Sequence, residues 1–184
     1  MKSIKLYSLG AALLAAVLPL NLHAESPAGQ VDFGKFYPPG AGGEFIEVNV
    51  TSSLISLAMK FVEKEEPDVA RLLGGLQQVR VNVIGLDEAN RADMEKRVEK
   101  IRKELDSKGW ERIVTAQKTD QDVGIYLKSK DKDTVQGVVV MVIEANHQAV
   151  FVNVVGDIKP EQLALLGEKL HIDPLKKLGH MNEK

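Results

Sequence analysis

Outside its first 24 residues the chain holds three histidines, His147, His171 and His180. A metal site would want two of them at helical i, i+3 or i+4 spacing. None is spaced so. His171 and Asp173 could join His180 at a metal, but all three lie in a polar C-terminal stretch, where solvated side chains are the simpler account. A nucleophile needs a Ser or Thr held by a histidine and an acid, and no Gly-x-Ser-x-Gly elbow occurs. Ser52 and Ser53 fit helix capping better. Asp120 with Asp122, and Asp131 with Asp133, could bind calcium or do acid–base work as paired carboxylates. Each pair is interrupted by Gln or Lys inside a strand connector, which is turn chemistry. Gly40, Gly42 and Gly43 precede a strand and no Lys-Ser or Lys-Thr follows them, so they do not read as a phosphate loop. No catalytic, metal or cofactor-binding residue is expected, and the chain reads as a binding protein more readily than as an enzyme.

The elements that would position any such residue begin after a leader. Lys2 and Lys5 make a short positive region, residues 6–20 are apolar apart from Tyr7, Ser8 and Gly10, and Leu22-His23-Ala24 offers a small residue for cleavage. About 15 apolar residues interrupted by Pro19 fall short of the roughly 20 that span a bilayer, so a cleaved secretory signal is expected over residues 1–24. There is no cysteine, hence no disulfide framework and no lipid anchor on a new N-terminus. The expectation is a periplasmic or secreted protein with no stable membrane anchor after cleavage. Cleavage would leave 160 of the 184 residues, enough for one domain with one core. The formal charge of −2 becomes −4 once a leader carrying Lys2 and Lys5 is removed, which disfavours nucleic acid as a partner.

Residues 25–43 are rich in Gly and Pro and should form an irregular arm, in which Phe33, Phe36 and Tyr37 stand out as aromatics. A single domain is expected over residues 44–173 and a polar tail over 174–184. Residues 45–50 and 79–83 alternate apolar with polar, as half-buried strands do. A helix capped by Thr51 or Ser52 follows the first strand, with Leu54, Leu57, Ala58, Phe61 and Val62 at helical spacing. Pro67 ends it and opens a short second turn closed by Gly74-Gly75. After the second strand Asp87 should cap a helix whose Met94, Val98, Ile101 and Leu105 face inward between mixed charges. Four strands follow at residues 110–116, 123–129, 135–145 and 149–155, joined by short polar links that imply antiparallel hairpins. Pro160 stands near the start of a last helix with Leu163, Leu166 and Leu170. The order β-α-β-α-β-β-β-β-α describes an α+β two-layer sandwich, with helices on one face of a mainly antiparallel sheet.

Two strands break the alternation. Residues 138–143 are unbroken apolar and residues 150–155 nearly so, which sends large side chains to both faces of the sheet. Something must cover the second face: the arm or the last helix of the same chain, a twin subunit, or another protein. The candidate interaction surface is therefore Phe33, Phe36 and Tyr37 of the arm with Val139, Met141 and Phe151 of the sheet.

Phe33-Gly34-Lys35-Phe36, Glu47-Val48-Asn49-Val50, the strand at 79–83, Trp110, Val123-Gly124-Ile125-Tyr126 and the run from Phe151 to Ile158 together resemble an exported bacterial family catalogued only as a domain of unknown function, family 4252. That resemblance implies no catalytic residue and, at most, a part in envelope signalling. Two functions are expected to compete: a non-enzymatic binding domain with a protein partner or a homodimer twin, and a small hydrolase or ligand-processing domain whose site is assembled from distant residues. A deep pocket with converging polar groups would favour the enzyme, and an apolar patch the binding domain.

Overall fold

The structure, a computed structural model, describes residues 26–40, 43–144 and 147–159, together with Gln162, Leu165 and Gly167. The leader at 1–24 and the tail at 174–184 lie outside the described residues. So does most of the last helix, of which Gln162, Leu165 and Gly167 are helical.

Strand β1 (Phe45–Thr51) runs into helix α1 (Ser52–Val62), then α2 (Pro67–Gly75) and β2 (Leu76–Gly85). Thr51 stands at the N-terminus of α1 with extended backbone, but its side chain makes no capping bond, and Pro67 occupies the first turn of α2, where a missing N–H is harmless. Helix α3 (Arg91–Ser107) starts later than Asp87 would have placed it. Asn90 is its cap position, and the Asp87 carboxylate instead accepts the Ala89 and Asn90 N–H groups at 2.9 Å, forming an Asx turn that leads into the helix. Gly109, at φ 70°, lets the chain leave the helix in the left-handed region, and Trp110 then lies buried just ahead of β3 (Glu111–Gln117). Strands β4 (Gln121–Ser129), β5 (Val135–Glu144) and β6 (Gln148–Ile158) complete the chain of hairpins.

All six strands pair antiparallel in the order β1-β2-β6-β5-β4-β3. Because β6 inserts between β2 and β5, the connection from β2 must reach the far edge of the sheet. Four strand spacings are about 19 Å, and a 17-residue helix is about 25 Å long, so α3 is long enough to bridge them.

The α+β class and the antiparallel sheet agree with the sequence expectation. The helices, however, divide between the two faces instead of gathering on one. On the first face Met94, Val98, Ile101 and Leu105 of α3, with Val31 and Phe33 of the arm, pack on Ile84, Tyr126, Val139, Met141 and Phe151. On the second face Ile55 of α1 and Leu72 of α2 share a core with Val138, Val140, Val152 and Val154. The physical reason is the double-sided apolarity of β5 and β6: neither face of the central strands could be left in water. For the same reason Asn82, which alternation would put on a polar face, is buried beside Phe151.

Candidate interaction surface

The arm is fastened by a residue that no motif announces. Asn153 lies fully buried in the middle of β6 and on the first face, where its Oδ1 accepts the Val31 N–H at 2.9 Å. Its Nδ2 donates to the carbonyls of Gly29 at 3.0 Å and Val138 at 3.2 Å. Every polar atom of the amide is thus partnered, as a buried amide requires. Gly137 lets the arm come this close: a Cβ there would stand 2.6 Å from the Trp110 ring and 2.7 Å from the Gly29 Cα. Farther along, Arg97 donates to the carbonyls of Phe33 and Lys35, both at 2.9 Å, and stacks its guanidinium 4.6 Å above the Phe36 ring.

Five of the six sequence candidates are brought together by this fastening. Phe33 and Phe36 meet Phe151 with ring centroids 5.5 and 4.9 Å apart, and Val139 and Met141 belong to the same core. Phe33, Phe151, Val139 and Met141 are buried, so they form an interior seam between arm and sheet, closed to a partner while the arm is in place. Tyr37 stands apart and exposed.

Polar groups gather along the other flank of α3. Arg102 donates to Asp122 at 2.6 Å in a largely buried pair, and that bond, opposed by burial, raises the guanidinium pKa. The guanidinium lies over Gly124, where a Cβ would come within 3.5 Å of it. The neighbouring Tyr126 hydroxyl is buried without a hydrogen bond, burial pushes its pKa up, and Arg112 stacks 5.2 Å from its ring centre. An open cleft of about 510 Å³ beside this pair is lined by both signs of charge, including Glu95, Glu99, Lys118 and Asp120. No histidine lines it. Elsewhere His147 is exposed, and His171 and His180 lie outside the described residues. Among the described residues no three His, Cys, Asp or Glu side chains cluster as metal ligands would. Of the aspartate pairs, Asp122 belongs to the α3 ion pair, while Asp131 accepts the Asp133 N–H at 2.9 Å in a turn, which holds its carboxyl below the usual range.

The apolar surface that sequence reasoning missed lies on the second face. Helix α1 buries only Ile55, and leaves Leu54 and Leu57 each 52% exposed and Phe61 73% exposed. Met59 reaches toward α2, its Cε 3.5 Å from where a Gly74 Cβ would sit. At 100° per residue the stripe Leu54, Leu57, Phe61 lies roughly 160° around the helix from Met59, so it points away from α2. Ile46 and Val48 of β1, at the sheet edge and on the same face, are 42% and 41% exposed. The signal was present in the helical repeat of Leu54, Leu57 and Phe61, but a repeat reports an apolar stripe and says nothing of whether a sheet lies beneath it.

A family model for the domain of unknown function DUF4252 matches residues 42–166, more than half of the chain. The chain belongs to this family. No curated protein and no solved structure matches it. The DUF4252 match takes in the whole sheet with α1, α2 and α3, Asn153 included, whereas the arm at residues 26–40 that Asn153 fastens lies ahead of the matched span. The family description assigns no reaction, so none transfers to Arg102, Asp122 or Tyr126. Among the described residues no helix is long and apolar enough to cross a membrane.

Proposed function

We propose that this chain is an exported, non-enzymatic interaction domain of the cell envelope, with a part in envelope signalling, and that it docks a protein partner through α1 and the β1 edge. The observation that carries the reading is the stripe Leu54, Leu57 and Phe61, large apolar side chains left in water on a helix that buries one residue. With Ile46 and Val48, and about 200 Å² for a large apolar side chain, the stripe exposes roughly 500 Å². That is near the upper end of what isolated domains leave exposed, about 300–600 Å². The arm seam around Phe151 does not offer such a surface while the arm is fastened. The cleft beside Arg102 does not favour catalysis, since its buried cation and Asp122 already neutralise each other. A photo-crosslinking residue placed at Phe61 in cells producing the full chain tests the reading, with Lys100 on exposed α3 surface as control. Adducts from position 61 and none from position 100 are expected. Equal silence at both positions would refute it.

A further inference from the structure

The two edges of the sheet differ in a way that identifies an occupant. Strand β3, at one edge, carries a register shift between Arg112 and Val114 and exposes Glu111, Arg112, Thr115 and Gln117. Bulges and charges of this kind keep an edge from pairing with another chain. Strand β1, at the other edge, has none of these protections. It pairs with β2 in unbroken register over seven residues, contains no proline and no lysine, and has Glu47 as its one charge. Among the described residues nothing pairs with its outer side.

We propose that the occupant of this edge is a second copy of the chain, joined β1 to β1 antiparallel about a two-fold axis through Val48. This rests on the interaction reading of the same surface. Antiparallel neighbours in one sheet are related by an axis perpendicular to it, so the two copies keep their faces aligned in a continuous twelve-stranded sheet, twice the six strands of one copy. Centred on Val48, the register sets Val48 against Val48, Ile46 against Val50 and Glu47 against Asn49. The second face then gains an unbroken apolar row, and on the first face each carboxylate meets a neutral amide. A register centred on Glu47 would oppose two carboxylates directly, which is destabilising. Both α1 helices lie on the same face beside β1 and β2, with α2 farther in beside β6, so each turns Leu54, Leu57 and Phe61 away from its own α2 and toward the side of the axis. Burying the roughly 500 Å² of each copy removes about 1,000 Å² before any backbone contribution, which reaches the lower bound for a specific interface. One symmetry operation therefore satisfies the open edge, the single charge and the exposed stripe together.

The absence of cysteine makes the register directly measurable. In the proposed pairing the two Val48 Cα atoms stand about 4.5–5.5 Å apart, within the span of a disulfide, and the two Asn49 Cα atoms lie on a diagonal of about 7–8 Å, beyond it. The full chain, recovered from producing cells, should sediment as two copies. V48C should form a disulfide-linked dimer under mild oxidation, and N49C should not. Asn49→Glu opposes Glu47 of the other copy at two symmetric places and should weaken the dimer about 2- to 30-fold. Within one copy Asn49 faces Arg80, so the same Glu substitution should leave the fold intact, as circular dichroism would show. A protein that sediments as a monomer at 100 µM (on the order of the concentration that saturates a micromolar dimer), or a folded V48C that stays uncrosslinked, overturns the proposal. If such a monomer still gives adducts with another protein from position 61, the interaction reading stands and the second-copy inference alone has failed. If position 61 is silent as well, both have failed.

Discussion

Asn153→Ala isolates the bolt that holds the arm. The substitution removes three hydrogen bonds at once, those of the Val31 N–H and of the carbonyls of Gly29 and Val138, and orphans the first two, since Val138 keeps paired strands on both sides. Each orphaned buried group costs about 1–3 kcal/mol. The losses at Gly29 and Val31 do not fully add, because the arm can lift and give both back to water, while Val138 stays between paired strands. The expected loss is therefore about 3 kcal/mol, with a fall in Tm of roughly 10 °C for a domain of this size. Asn82 supplies the control. It is equally buried and also on the first face, yet its Oδ1 has no hydrogen bond, so Asn82→Val should change stability by less than about 1 kcal/mol. Thermal melts give the magnitudes, and hydrogen exchange of the arm gives the mechanism, since amides near Val31 should lose protection in Asn153→Ala alone. Equal losses at the two asparagines, or an arm still protected without the Asn153 amide, would refute the account.

Val140→Asp should unfold the domain or collapse its yield by placing an unpaired charge in the second-face core, while Lys100→Asp on exposed α3 surface should shift the melt by no more than about 0.5 kcal/mol. Tyr126→Phe should be neutral or stabilising near neutral pH, because it removes a buried hydroxyl without a partner. Burial raises the Tyr126 pKa in the fold, so the native state holds its proton more tightly than the unfolded chain. Stability is then fully present below the unfolded phenol value of about 10 and falls as pH rises through the folded one; alkaline denaturation of Tyr126→Phe should show a shallower decline than the parent. Native protein recovered from the periplasm without detergent should begin at Glu25 by intact mass, and a mass retaining residues 1–24 would contradict export with cleavage.

How much of this was legible beforehand depends on the range of the interaction. Period-two alternation located β1 and β2, the four-three-four spacing of Met94, Val98, Ile101 and Leu105 located the buried stripe of α3, and short polar links identified the last four strands as hairpins. These are properties of neighbouring residues, so the sequence by itself determined the element types, the antiparallel sense and the α+β class. The double-sided apolarity of the strand around Val140 also demanded cover on both faces. Which elements supply that cover was decided only in three dimensions, because β6 had to insert between β2 and β5 before α3 acquired a face to cross. The same holds for the two asparagines. Asn82 falls in an alternating strand and Asn153 interrupts an apolar run, and only the path of the arm makes one a bolt with three bonds and leaves the other's oxygen without a partner. The apolar repeat of α1 was equally plain in the sequence. Whether Leu54, Leu57 and Phe61 face a sheet or open water depends on where α2 sits, and that placement comes from contacts between segments far apart in the chain, to which a local repeat is blind.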